Sequence, residues 1–199
     1  MSVEVAALAL ALYREHRGDR QVTALIYTHS HLDHYGGAKG ILSDDDMARG
    51  DVRVIAPEGF LYEAVAENVF AGNAMARRAV LMYGAVLSAG PLGMVDAGLG
   101  KTNSIGQLSL IAPTEYVSQT GETLTVDGID IEFTMAPHTE ASRLGKPRTA
   151  AAPASIFFSM TVILPEKPGK KRHQNASGAL YLQWTARPES ILAAKSRTP

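Results

Sequence analysis

The sequence predicts one mixed α/β domain, and three observations carry the prediction. Helical and strand periodicities alternate along the first 140 residues. One short apolar run, residues 22–28, ends directly at a cluster of three histidines and an aspartate. At 199 residues, with 46% apolar and 20% charged side chains, the chain also has the size and composition of a globular protein with one sizeable core.

The elements follow in order. Ser2 supplies an N-cap, and Val5, Leu8, Ala9 and Leu12 recur at helical spacing until Gly18 provides a stop, giving an amphipathic opening helix. Residues 22–28 (VTALIYT) are β-branched and apolar, as expected of a buried strand. Gly36 and Gly37 turn the chain into a short helix through Ile41 and Leu42, and DDDMARGD then reads as a solvated loop. Residues 52–56 form a second buried strand. Pro57 suits a first helical turn, and Phe60, Leu61, Ala64, Val65 and Val69 make the apolar stripe of the helix behind it. Residues 73–87 repeat the helical pattern, and the glycine-rich residues 90–106 read as a long surface loop. Residues 108–112, 123–126 and 129–135 read as three strands, the last two joined by an Asp127-Gly128 turn. Beyond Ala141 only the apolar run IFFSMTVIL suggests structure, between stretches rich in proline, alanine and basic residues.

Composition excludes several classes of function. No run approaches the roughly 18 apolar residues that span a bilayer, so no membrane span is expected. Glu4 stands where a signal peptide would carry positive charge, which makes a cytoplasmic location the default. With no cysteine, a metal must be held by nitrogen and oxygen. Gly98-Leu99-Gly100-Lys101 lacks the spacing of a phosphate loop, and Lys170-Lys171-Arg172-His173 lacks aromatic interleaving, so no nucleic-acid partner is expected. The net charge of -1 conceals an asymmetry: 9 Lys or Arg against 18 Asp or Glu up to Glu140, then 10 against 2 beyond it. Such a break marks a domain boundary, a tail or a foreign segment.

The chemistry is concentrated in Thr28-His29-Ser30-His31-Leu32-Asp33-His34, an H-x-H-x-D-H pattern between a strand and a Gly-Gly turn. Alternate positions of an extended segment put His29 and His31 on one side, where two imidazoles can share an ion. Asp33 and His34, past the strand end, can turn toward a second ion. Packing alone rarely selects three histidines beside an aspartate. Neutral imidazoles with a carboxylate suit Zn²⁺, with Fe and Mn also compatible. Two such ions lower the pKa of a shared water and polarise a leaving oxygen, with Asp33 placed to orient the nucleophile, so the pattern predicts hydrolysis without a covalent protein intermediate.

On these residues the chain resembles the metallo-β-lactamase superfamily. The stretches ALALYREHRGDRQVTALIYTHSHLDHYGGAKG, VIAPEGFLYEAVAENVFAGNAMARRAVLMYG, VDAGLGKTNSIGQLSLIAPT and TGETLTVDGIDIEF narrow the resemblance to the alkylsulfatase branch, over about residues 6–140. The resemblance implies an αββα fold, here incomplete, and a small-molecule alkyl sulfate substrate cleaved to alcohol and sulfate by a metal-activated hydroxide. It implies two Zn²⁺ per site in the intact family, one or two here. His29 and His31 would hold one ion and Asp33 and His34 the other, with Glu140 as a further metal ligand and His138 as its alternative. The homodimer of the intact family would use a region beyond this chain.

After Glu140 the family pattern of an A-E-N-A-T-H stretch, with a glutamate bridging both ions, has no counterpart in register. Two regions are therefore expected: residues 1–140 as a catalytic-core fragment, and residues 141–199 as a divergent tail, from a changed reading frame, a mis-set splice junction or a fusion, poorly packed against it. The isolated chain is then expected to hydrolyse little dodecyl sulfate. A different hydrolase of the superfamily, acting on a lactone, thioester or lactam, and a non-catalytic metal-binding fragment are the alternatives. Arg77 and Arg78 read as a solvated helix face that could also meet an anionic substrate.

Overall fold

The computed structural model describes residues 1–97, 104–135, 143–147, 160–163 and 179–182. Helix α1 spans Val3–Arg17; the Ser2 side chain caps it by accepting from the Val5 N–H, and Gly18, at φ 90°, ends it. Strand β1 covers Ala24–Tyr27 and runs into the one-turn helix α2, Leu32–Tyr35. A 3-10 turn at Ala38–Gly40 follows, then α3 at Asp44–Arg49 and β2 at Arg53–Pro57. Helix α4, Phe60–Val65, passes into a π-helical turn at Ala66–Phe70 and then into α5, Gly72–Tyr83. Strands β3 (Glu115–Val117), β4 (Thr123–Val126) and β5 (Ile129–Met135) come next, followed by β6 (Arg143–Pro147), β7 (Met160–Ile163) and β8 (Ala179–Leu182).

The strands make two sheets: a mixed one in the order β3-β2-β1-β7-β8 and an antiparallel one in the order β4-β5-β6. In the first, β1, β2 and β3 run parallel, and β7 pairs antiparallel with β1 through Ala24↔Ile163 to Tyr27↔Met160.

Side-chain alternation along β1 explains the layers. Leu25 and Tyr27 face a core shared with Ala6 and Leu10 of α1 and with Phe60 and Ala64 of α4. Ala24 and Ile26 face the other way, onto Val126, Ile131 and Phe133 of the second sheet. Because β1 is buried on both faces it reads as a continuous apolar run, and each fully buried aliphatic side chain there contributes about 1.5–3 kcal/mol. The order helix, sheet, sheet supplies three layers of the expected αββα fold among the described residues.

Close packing governs the turn behind β1. A β-carbon on Gly40 would lie 2.1 Å from the Val3 carbonyl oxygen, so the 3-10 turn seats against α1 only with glycine there. Tyr27 donates its hydroxyl to the Ile111 carbonyl at 3.2 Å, stacks on Phe60 at 4.6 Å, and meets Tyr35 edge-on.

Four sequence expectations are corrected. DDDMAR is a helix rather than a solvated loop, because Ser43 and Asp46 form a reciprocal capping box. Residues 108–112 are no strand but an extended crossing segment, and the strand beside β2 is Glu115–Val117. The apolar stripe from Phe60 to Val69 is an α-helix only to Val65, and a π turn carries the rest. The poor packing expected after residue 140 does not hold for the strands: β6 joins the second sheet, and β7 lies beside β1 at the centre of the first. The backbone groups on that edge of the fully buried β1 need partners, and part of the IFFSMTVIL run supplies them. No helix among the described residues is long and apolar enough to cross a membrane.

Candidate metal centre

The H-x-H-x-D-H residues occupy the C-terminal end of β1. Thr28 is buried, and its hydroxyl lies 2.8 Å from Nδ1 of His29, which engages one ring nitrogen and leaves Nε2 for another partner. His31 sits in extended conformation at the start of α2, where its carbonyl accepts from the His34 and Tyr35 N–H groups at 3.0 and 3.3 Å. That single turn reverses the chain and returns His34 to the two earlier histidines.

The result is a cluster of three. Ligand-capable atoms of His29, His31 and His34 all lie within 4.8 Å of one another. The His29 ring centroid stands 4.8 Å from that of His31 and 4.4 Å from that of His34. Burial, reinforced by repulsion from His34 and His31, brings the His29 pKa down to about 4. Burial likewise lowers that of His34, against the pull of Asp33. Both rings are therefore neutral near pH 7, the state in which an imidazole offers a lone pair.

Asp33 stands beside this group rather than in it. Its side chain is 73% exposed, and one oxygen lies 3.3 Å from His34 Nε2. His31 Nε2 faces the carboxylate of Glu67 at 3.8 Å, a neighbour that the sequence reading contained only as part of the ENVFAGNAM stretch. Arg77 and Arg78 are exposed on α5. Glu140 and His138 lie outside the described residues.

The donors fit a divalent ion of borderline softness. They are imidazole nitrogens at a spacing one ion can bridge, and among the described residues His34 Nδ1 is buried with no hydrogen-bond partner. The chain behind them is held firmly. Ser109 donates from its backbone N–H and its hydroxyl to the Gly36 carbonyl, at 2.8 and 3.0 Å, and accepts from the Lys39 N–H at 2.9 Å.

Comparison with known proteins agrees with this geometry. Residues 1–112 match the family model described as the metallo-beta-lactamase superfamily. A linear primary-alkylsulfatase of a Pseudomonas species is 51% identical over 141 residues, 71% of this chain and 21% of that protein. An (R)-specific secondary-alkylsulfatase, also from Pseudomonas, is 35% identical over 196 residues, 98% of this chain and 27% of that protein; this likeness runs past residue 140. Among solved structures, the stereoselective inverting sec-alkylsulfatase Pisa1 from Pseudomonas superposes with a TM-score of 0.64 at 38% identity, covering 82% of this chain and 24% of that one. The chain thus spans about a fifth to a quarter of the length of these relatives.

Proposed function

The chain belongs to the metallo-β-lactamase superfamily and to its alkylsulfatase branch, and from that premise we propose that it carries a zinc centre for hydrolysing linear alkyl sulfate esters to an alcohol and sulfate. The observation that supports this best is the convergence of His29, His31 and His34 at the end of β1. The relatives named above are alkylsulfatases, which favours a sulfate ester over a lactone, thioester or lactam as substrate.

In this reading His29, His31 and His34 supply nitrogen ligands, Asp33 an oxygen, and Glu140 a further carboxylate, with His138 as its alternative; one or two ions are held. When bound, such an ion supplies an acidified water and polarises the ester oxygen that leaves with the alcohol or with sulfate. The protein's own contributions are positional. The hydrogen bond at Nδ1 holds the His29 ring in place and aims its other nitrogen outward. Asp33, fixed beside His34 yet open to solvent, accepts a hydrogen bond from the attacking water and orients it. The low pKa of His29 keeps that ligand competent well below neutral pH.

The test is elemental analysis of the purified chain combined with sulfate release from dodecyl sulfate, beside lactone and thioester controls. At least one zinc ion per chain, lost in a His29→Ala, His31→Ala double variant, is expected. Unchanged zinc in that variant rejects the metal assignment. Bound zinc with turnover of a control ester and none of dodecyl sulfate rejects the substrate assignment.

A further inference from the structure

Between α4 and α5 the chain makes a π-helical turn at Ala66–Phe70, closed by the Ala71 N–H donating to the Ala66 carbonyl at 3.0 Å. A π turn is rarer than an α turn and is found frequently at functional sites. This one sets two consecutive polar side chains against the loop that carries the histidines. Asn68 donates through Nδ2 to the Tyr35 hydroxyl at 3.2 Å and to the Ala64 carbonyl at 2.9 Å. The second bond satisfies a carbonyl beside the widened turn, and the first ties the turn to α2. Glu67, one residue earlier, presents its carboxylate 3.8 Å from His31 Nε2, with only 25% of its side chain exposed.

The pairing has a chemical consequence. A neutral imidazole carries its proton on one nitrogen and a lone pair on the other, and the partner of the first decides which nitrogen can bind an ion. A carboxylate repels a lone pair aimed at it and attracts an N–H. We propose that Glu67 is a positioning residue for His31: its carboxylate selects the tautomer protonated at Nε2 and so turns the Nδ1 lone pair to the metal centre. The Asn68–Tyr35 hydrogen bond fixes the distance at which this happens. The inference rests on the reading of the three histidines as metal ligands, and it gives the ENVFAGNAM stretch a role at the site through its first two residues.

The ring tautomer is measurable without metal, by long-range ¹H–¹⁵N correlation on the metal-free, ¹⁵N-histidine-labelled chain. Expected is His31 protonated at Nε2, with its two ring nitrogen shifts moving toward each other in Glu67→Ala. Glu67→Gln, whose amide oxygen can still present negative charge density to Nε2–H and whose size is unchanged, should keep the shifts near those of the unsubstituted chain. Zinc affinity, measured by competition with a chelating dye, should fall about 10–100-fold in Glu67→Ala and largely recover in Glu67→Gln. A proton on Nδ1 of His31 overturns the proposal, as do ring shifts that do not respond to Glu67→Ala. Failure of the unsubstituted chain to bind zinc would reject the metal reading instead, and the tautomer measurement would still decide the role of Glu67.

Discussion

At the scale of single residues the candidate site separates side chains that the core orients from one that solvent surrounds. His29 and His34 are held by neighbours and by burial, and their neutrality follows from it. Asp33 is different, since most of its side chain is exposed while one of its oxygens lies 3.3 Å from His34 Nε2. Its removal leaves no cavity. Asp33→Ala should therefore shift stability by no more than about 0.5 kcal/mol, as surface substitutions do, while zinc affinity drops by at least about tenfold, the lower range for loss of a metal ligand or its support. Urea unfolding and competition with a chelating dye on the same preparations separate the two effects; a stability loss large enough to account for the affinity loss would make Asp33 a structural residue. That these residues are candidates for a site is legible in the sequence, because four metal-capable side chains in six positions have no packing explanation. The grouping of His34 with His29 and His31 is not, since it depends on the reversal made by α2. Glu67 is equally hidden, because its proximity to His31 depends on a π turn that no apolar periodicity announces.

At the scale of elements, β1, β2, β4 and β5 are legible because each is either a continuous apolar run or is joined by a defined turn. Asp127, at φ 51°, and Gly128, at φ 76°, form the tight connection that the Asp-Gly pair predicts. Strand β3 is missed because its pairing with β2 is long-range, secured by the two-pronged Arg53–Glu115 ion pair, whereas the more apolar residues 108–112 are used to hold Gly36 and Tyr27. Helix α3 is missed although its signals are present: Ser43 three residues before Asp46, and Gly50 as a left-handed stop. Its capping box makes a pH prediction. Hydrogen bonds from the Ser43 hydroxyl and N–H, helped by Arg49, hold Asp46 down at about 2. A carboxylate with a depressed folded pKa stabilises above its unfolded value, near 3.8, and loses that contribution as pH falls toward 2. Ser43→Ala should cost about 1 kcal/mol at pH 7, and the difference should shrink between about pH 4 and pH 2 as the charge that the hydroxyl serves is removed. A difference that grows in acid would show that the hydroxyl acts elsewhere.

At the scale of the whole molecule, the first core is closed while the surface beyond it is not. Helix α1, α4 and the five-stranded sheet enclose the cluster around Tyr27, yet α5 and the π turn contribute no buried residue. Phe70 and Leu81 are each 85% exposed, Leu92 is fully exposed, and Val69, Met82, Val86, Leu87 and Val95 are all more than half exposed. Side chains of this size in water lose the burial contribution of about 1.5–3 kcal/mol each, and a soluble monomer rarely displays so many in one stretch of chain. An apolar surface of this kind is relieved by contact with any apolar partner, a second copy included. The purified chain should consequently bind an environment-sensitive apolar dye while folded and should sediment with a concentration-dependent mass at micromolar concentrations. Phe70→Ser combined with Leu81→Ser, at positions that no core depends on, should reduce both signals without lowering the unfolding midpoint. A chain that sediments as a monomer and binds no dye would show that these side chains are covered in solution.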